Sequence, residues 1–161
     1  MSAQRRNSES VDAFERQVVE TFRFLTDELD FELVGAERPN WYERSVEYIG
    51  RYTGVVIELD AREHQLRVLM ARLIRGPLDR RKLPTYVDTA ETHWVDLREV
   101  IAVRDPSSPL LRARAGKGPM SDEQMGDLLR RYAEALRRHA ADILAGDFAV
   151  FPEAQTMARR L

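Results

Sequence analysis

Cysteine is absent from this 161-residue chain. Disulfides, zinc–thiolate sites and thiol nucleophiles are therefore excluded. Histidine is scarce: His64, His93 and His139 are far apart, and no HExxH pair occurs. Lysine is almost missing, so all but two of the 25 basic side chains are arginine, the exceptions being Lys82 and Lys117. No apolar run approaches the ~20 residues that span a bilayer, and the opening "MSAQRRNSES" has no apolar stretch behind it. These absences lead to the expectation of a cytoplasmic protein without a membrane partner. No serine sits in a GxSxG elbow, and no Walker A loop is present. "GAERPNW" and "GKGP" hold too few glycines for a dinucleotide fingerprint. A strong excess of one charge is missing too. The formal net charge of −2 gives no broad electrostatic footprint for nucleic acid.

The residues that are present describe a folded domain. Hydrophobic residues make up 43% of the chain and charged residues 32%, a balance far from that of disordered chains. A chain this long removes roughly two-thirds of its unfolded surface on folding. Residues 1–9 read as a loose tail and 10–161 as one domain. Val11, Phe14, Val18, Phe22, Leu25 and Leu29 recur at three- and four-residue steps. This spacing predicts a helix from Ser10, its N-cap, to Leu29.

The period then shortens. "FELVGAE" reads as a first strand, "ERPNWYE" as a turn, and residues 45–74 as an antiparallel meander. Pairing Leu59 with Leu66 also matches Ile57 with Val68, Val55 with Met70 and Glu58 with Arg67. "AREH" lacks the Asn-Gly of a two-residue hairpin and suits a four-residue loop. With Thr53 and Gly54 in the preceding turn, Tyr52 falls beside Val55 and Tyr48 beside Leu59. Residues 75–93 have no clear period, although "TYVDT" could form a short edge strand.

"ETHWVDLREVIAVRD", residues 91–105, places a histidine among acids and invites a chemical reading. A helix entrance explains it better. With Asp96 as N-cap, Glu99 falls at N3 and completes a capping box, while Val95 and Val100 take the staple positions. His93 then lies outside the helix, and one loop histidine without a second nearby points to structure rather than metal. Ser121 repeats the device with Gln124 at N3, Met120 at N′ and Met125 at N4. A long helix follows to about Ala145, with Met125, Leu129, Tyr132, Leu136 and Ile143 on its apolar stripe. Gly146 is its C′ residue. His139 falls at the edge of that stripe as a half-buried packing residue, with Asp142 placed for a local pair. Phe148 and Phe151 are expected to fold back onto the core, with a short turn of helix after Pro152.

No cofactor and no catalytic residues emerge from these spacings. The candidate contact residues are instead the loop cations Arg80, Arg81 and Lys82 in "DRRKL" and Arg112, Arg114 and Lys117 in "RARAGK". Both clusters lie outside the predicted core elements, where binding residues concentrate. Such exposed cations suit an acidic partner or a phosphate. "RARAGK" carries no aromatic platform for stacking bases, which again argues against nucleic acid. The arginines of "RRYAEALRR" share their helix face with Asp127 and Glu134 and read as a solvated mixed-charge surface.

The order of helix, meander, "WVDLREVI" helix and long helix closing in "HAADILAGDFAVF" resembles a diffuse group of small bacterial α+β proteins of uncharacterised function. Some of that group are similar to toxin-immunity proteins. The likeness runs from about Phe14 to Phe151 and rests on Trp94, Val95, Asp96, Leu97, Asp142, Ile143, Leu144, Gly146, Asp147 and Phe148. It implies a cytoplasmic protein that binds another protein, in an immunity-like or accessory role, and it transfers no active site. The Arg-rich loop 105–119 has no counterpart in the pattern. The fold expected is α+β: an antiparallel meander of three or four strands with helices packed on one face. Self-association stays open, as does a small enzyme or ligand-binding protein with its pocket between sheet and helices.

Overall fold

Strands cluster in the middle of the chain and helices at its two ends, and the computed structural model follows that division. It describes residues 13–37, 42–73, 94–113 and 118–158. Strands β1 (Glu32–Glu37), β2 (Glu43–Ile49), β3 (Thr53–Asp60), β4 (Gln65–Arg72) and β5 (Trp94–Asp96) form one antiparallel sheet in sequence order. The helices are α1 (13–21), α2 (Arg23–Asp27), α3 (Leu97–Arg104), α4 (Pro109–Arg112), α5 (Asp122–His139), α6 (Ala141–Leu144) and α7 (Phe151–Ala158). The class is α+β, with five strands where the sequence suggested three or four. The extra strand is β5, which pairs Trp94 with Ala71 and Val95 with Met70.

The β3–β4 register is the one that the sequence predicts: Leu59 faces Leu66, Ile57 faces Val68, Val55 faces Met70 and Glu58 faces Arg67. Asp60 and Gln65 close a four-residue loop. Asp60 Oδ1 accepts from the Arg62 and Glu63 amides and thereby holds that loop. The β2–β3 register differs from expectation. Tyr48 faces Val55, and Arg44 faces Leu59. Thr53 belongs to β3 because its buried hydroxyl donates to the Ile143 carbonyl at 2.6 Å. The turn therefore tightens around Gly50, whose amide donates to the Thr53 carbonyl at 2.8 Å. A Cβ on Gly50 would lie 2.8 Å from the Phe31 ring. The shift is an even number of residues, so every side chain keeps its face.

One face carries Val46, Tyr48, Val55, Ile57, Val68, Met70 and Val95 into the main core. Phe14, Val18, Phe22 and Leu25 meet it from the first helical region. Ile101 of α3, with Leu129, Tyr132 and Leu136 of α5, completes it. The predicted first helix is broken at Phe22 and ends at Asp27. Asp30, at φ 56°, turns the chain so that the Phe31 amide reaches the Leu25 carbonyl. Leu29 is thus left 42% exposed instead of continuing the stripe. The proposed cap Ser10 and the tail 1–9 lie outside the described residues.

The long helix stops at His139, and α6 continues after Ala140. Gly146 ends α6 at φ 97°, as a C′ residue does. Phe148 and Phe151 meet edge to face at 5.0 Å, and the final helix spans eight residues. Val56, Leu69, Ala71 and Trp94 form a separate buried cluster. By strand alternation it lies on the sheet face opposite the helices.

Candidate functional site

The 94–99 stretch brings two acids with raised pKa values side by side. Asp96 Oδ1 accepts from the Arg98 amide at 2.9 Å, and Glu99 Oε2 accepts from the Asp96 amide at 3.0 Å. The capping box is complete. Val95 and Val100, at its staple positions, are both buried in the main core. Burial raises the Asp96 carboxyl above its usual range, although the bond from Arg98 and the charges of Arg67 and Arg98 oppose it. Burial likewise pushes Glu99 up to about 7, and the neighbouring Asp96 charge adds to the rise. Two perturbed acids side by side are a common mark of catalysis. Here both oxygens are committed to backbone N–H groups, and neither side chain lines the clefts described below. Asp96→Ala is expected to destabilise the protein by ~1 kcal/mol, while Asp96→Asn, which keeps a capping oxygen, costs less. Urea unfolding of the two variants checks this, and an alanine variant as stable as the parent would contradict the capping role.

The second capping box also forms. Ser121 Oγ accepts from the Gln124 amide at 3.1 Å, and Gln124 Oε1 from the Ser121 amide at 2.9 Å. It positions the start of α5 beside Arg98 and the β3–β4 loop. Between them opens a cleft of about 680 Å³ with His64, Arg98, Gln124, Arg131 and Tyr132 in its walls. Of the predicted contact cations, Arg112 is exposed at the end of α4, next to Ala113 of this cleft. Arg80, Arg81, Lys82, Arg114 and Lys117 lie outside the described residues, as do His93 and "TYVDT". The arginines that the structure does gather, Arg98 and Arg131, were hidden by sequence: one read as part of a helix entrance, the other as part of a solvated face.

The His139–Asp142 pair expected from spacing does not form. Asp142 instead accepts two bonds from Arg104, at 2.7 and 2.5 Å, and these hold its carboxyl below the usual range. His139 is half-buried, as expected, with Nε2 4.0 Å from Asp105. The helix break at Ala140 separates His139 from Asp142 and leaves Asp142 to α3. Among the described residues no group of three acidic or histidine side chains could hold a metal ion.

A third feature lies at the far edge of the sheet. Among the described residues β1 pairs only with β2. Its register shifts between Leu33 and Gly35, so Val34 bulges out, with Gly35 at φ 146°. Val34 is 52% exposed, and Leu33 and Val19 are 39% exposed. Val19 and Leu33 border a groove of about 560 Å³ with Ala36 and Val46 in its floor. Glu15, Arg16 and Glu20 of α1 and Arg23 of α2 alternate in sign along the helical side. The adjacent apolar pair of "ELVGAE" was the available sequence signal, because a half-buried strand cannot turn both residues inward. No helix among the described residues is long and apolar enough to cross a membrane. No protein-family model, curated protein or solved structure matches the chain.

Proposed function

We propose that the protein is a non-enzymatic binding module, immunity-like or accessory in role, that docks another protein along its α1–β1 edge. The observation that carries this reading is the exposed pair Val19 and Leu33 at the groove, with Val34 exposed on the neighbouring bulge, beside a strand that among the described residues pairs on one side only. Grouped exposed apolar side chains with a polar rim are characteristic of protein contact sites. A one-sided strand can accept an extended segment through main-chain bonds, with side-chain pockets supplying the choice of partner. The partner chemistry that fits is an extended segment with an apolar residue for the groove, flanked by charges of both signs to match the α1 side. The raised acids Asp96 and Glu99 serve the helix entrance, which suits a binding module.

Leu33→Asp places a charge in the middle of this surface. Leu33 is partly exposed, so the fold should hold. Loss of a central apolar anchor should weaken partner binding by about 30-fold or more. Partner captured from the cells of origin by the parent, and lost by the variant at unchanged circular dichroism, is the expected result. Equal capture by both would reject this docking edge.

A further inference from the structure

The cleft at the other end of the sheet has a different chemistry from the β1 edge. We propose that it binds a small organic anion, an apolar body carrying a phosphate or carboxylate group, with Arg98 and Arg131 as the anion-holding residues. The inference does not depend on what occupies β1.

Three elements build the site. The β3–β4 loop is fixed by Asp60 and delivers His64 at φ 52°, a left-handed conformation that a residue with a Cβ seldom adopts. The first turn of α3 delivers Arg98. Its Nη2 donates to the Leu111 carbonyl at 2.9 Å, which anchors the guanidinium. Its Nε–H is buried and has no acceptor among the described residues. A buried guanidinium donor left without a partner is costly, and an oxyanion is the group that satisfies it best. The middle of α5 delivers Arg131 and Tyr132. Among the described residues the Arg131 side chain has no hydrogen bond or ion pair. Burial pushes the Tyr132 hydroxyl up to about 12, the Asp96 charge adds to the rise, and the charges of Arg98 and Arg131 oppose it. Asp127 is the acid in the cleft wall, and its carboxylate is taken by Arg130. Among the described residues the cleft wall therefore sets two arginines against one acid.

Leu66, Met120, Leu128 and the Tyr132 ring give the wall an apolar side, beside the polar Gln65 and Gln124. A volume of about 680 Å³ fits small organic ligands, whose sites run from roughly 300 to 1,000 Å³. A wall divided between polar and apolar side chains suits a ligand of the same division. The guanidinium pair supplies bidentate donors for the charged end, and the Gln124 amide and His64 ring lie at hand for other polar atoms.

Calorimetric titration with phenyl phosphate, benzoate and inorganic phosphate tests the site. Phenyl phosphate or benzoate should saturate one site with a Kd of about 1 mM or below. Inorganic phosphate, which lacks the apolar body, should bind about tenfold more weakly. The tighter of the two aromatic probes identifies the headgroup. Arg131→Gln alters an exposed side chain and should weaken the better probe about tenfold. Arg98→Lys keeps the charge and loses the fork, and a similar loss is expected if circular dichroism shows an intact fold. Arg138→Gln, on the exposed face of the same helix, should change nothing. Absence of saturation by all three probes up to about 10 mM, or unchanged affinity in Arg131→Gln, would overturn the proposal.

Discussion

Trp94→Ala should destabilise the protein by about 3–5 kcal/mol, the range for deleting a large buried aromatic side chain. Trp94 is 4% exposed and shares a buried cluster with Val56, Leu69 and Ala71. Removal loses the transfer energy of the indole and leaves a void. The strands beneath cannot collapse into it, because Leu69 and Ala71 are held in the β4 ladder on both sides. β5 has only three residues, so the pairing that joins the α3 entrance to the sheet depends heavily on this packing. The shift of the urea midpoint at constant slope measures the loss. A loss below about 1 kcal/mol would mean that the second face of the sheet lies outside the cooperative core.

Glu99→Gln should stabilise the protein near neutral pH and have little effect in acid. The folded chain holds the Glu99 proton up to about pH 7, against a reference value of 4.5. Below the reference value both folded and unfolded chains are protonated, and the group adds no pH dependence. Between 4.5 and about 7 the unfolded chain gives up its proton while the folded chain keeps it. The folded state then binds more protons, so stability falls as pH rises through this window and levels off above it. For a fully buried group such a shift would correspond to about 3 kcal/mol. Partial contact of the side chain with water reduces this to on the order of 1–2 kcal/mol. Glutamine keeps the oxygen that accepts the Asp96 amide and cannot ionise. A slope of the same sign should remain from Asp96, whose carboxyl is also raised by burial. Unfolding midpoints of parent and variant at about pH 4 and pH 8 separate the cases. An equal advantage at both would rule out the linkage.

The parts of this fold that were legible in the sequence are those decided by neighbours along the chain or by strict alternation. Both capping boxes, at Asp96 and Ser121, follow from a three-residue spacing that the helix geometry imposes. The β3–β4 register follows because Leu59, Ile57 and Val55 find apolar partners in only one alignment that also pairs Glu58 with Arg67. The apolar stripe of α5 needs only the helical period. What failed was decided at long range. Thr53 joins β3 through a bond to Ile143, 90 residues away. Trp94 and Val95 form a strand because β4 offers them an edge, although locally they read as the approach to a helix. The break at Phe22 has no proline or glycine to mark it, and Asp142 goes to Arg104 because a helix break turns it there.

The candidate site was less legible for the same reason. Arg98, Arg131 and His64 are widely separated along the chain and meet through tertiary packing alone. Of the six loop cations that composition singled out, Arg112 alone is described, one residue before Ala113 of the cleft wall. The β1 edge could have been suspected from "ELVGAE", since two adjacent apolar residues in a strand cannot share one face.

Hydrogen exchange of the protein, free and bound to the partner captured from its cells of origin, tests the docking edge most directly. Binding along the α1–β1 edge should slow exchange of amides in β1 and in the exposed turns of α1, and leave the β3–β4 loop and the middle of α5 unchanged. Slowing confined to the β3–β4 loop and α5, with β1 exchanging as fast as in the free protein, would contradict it.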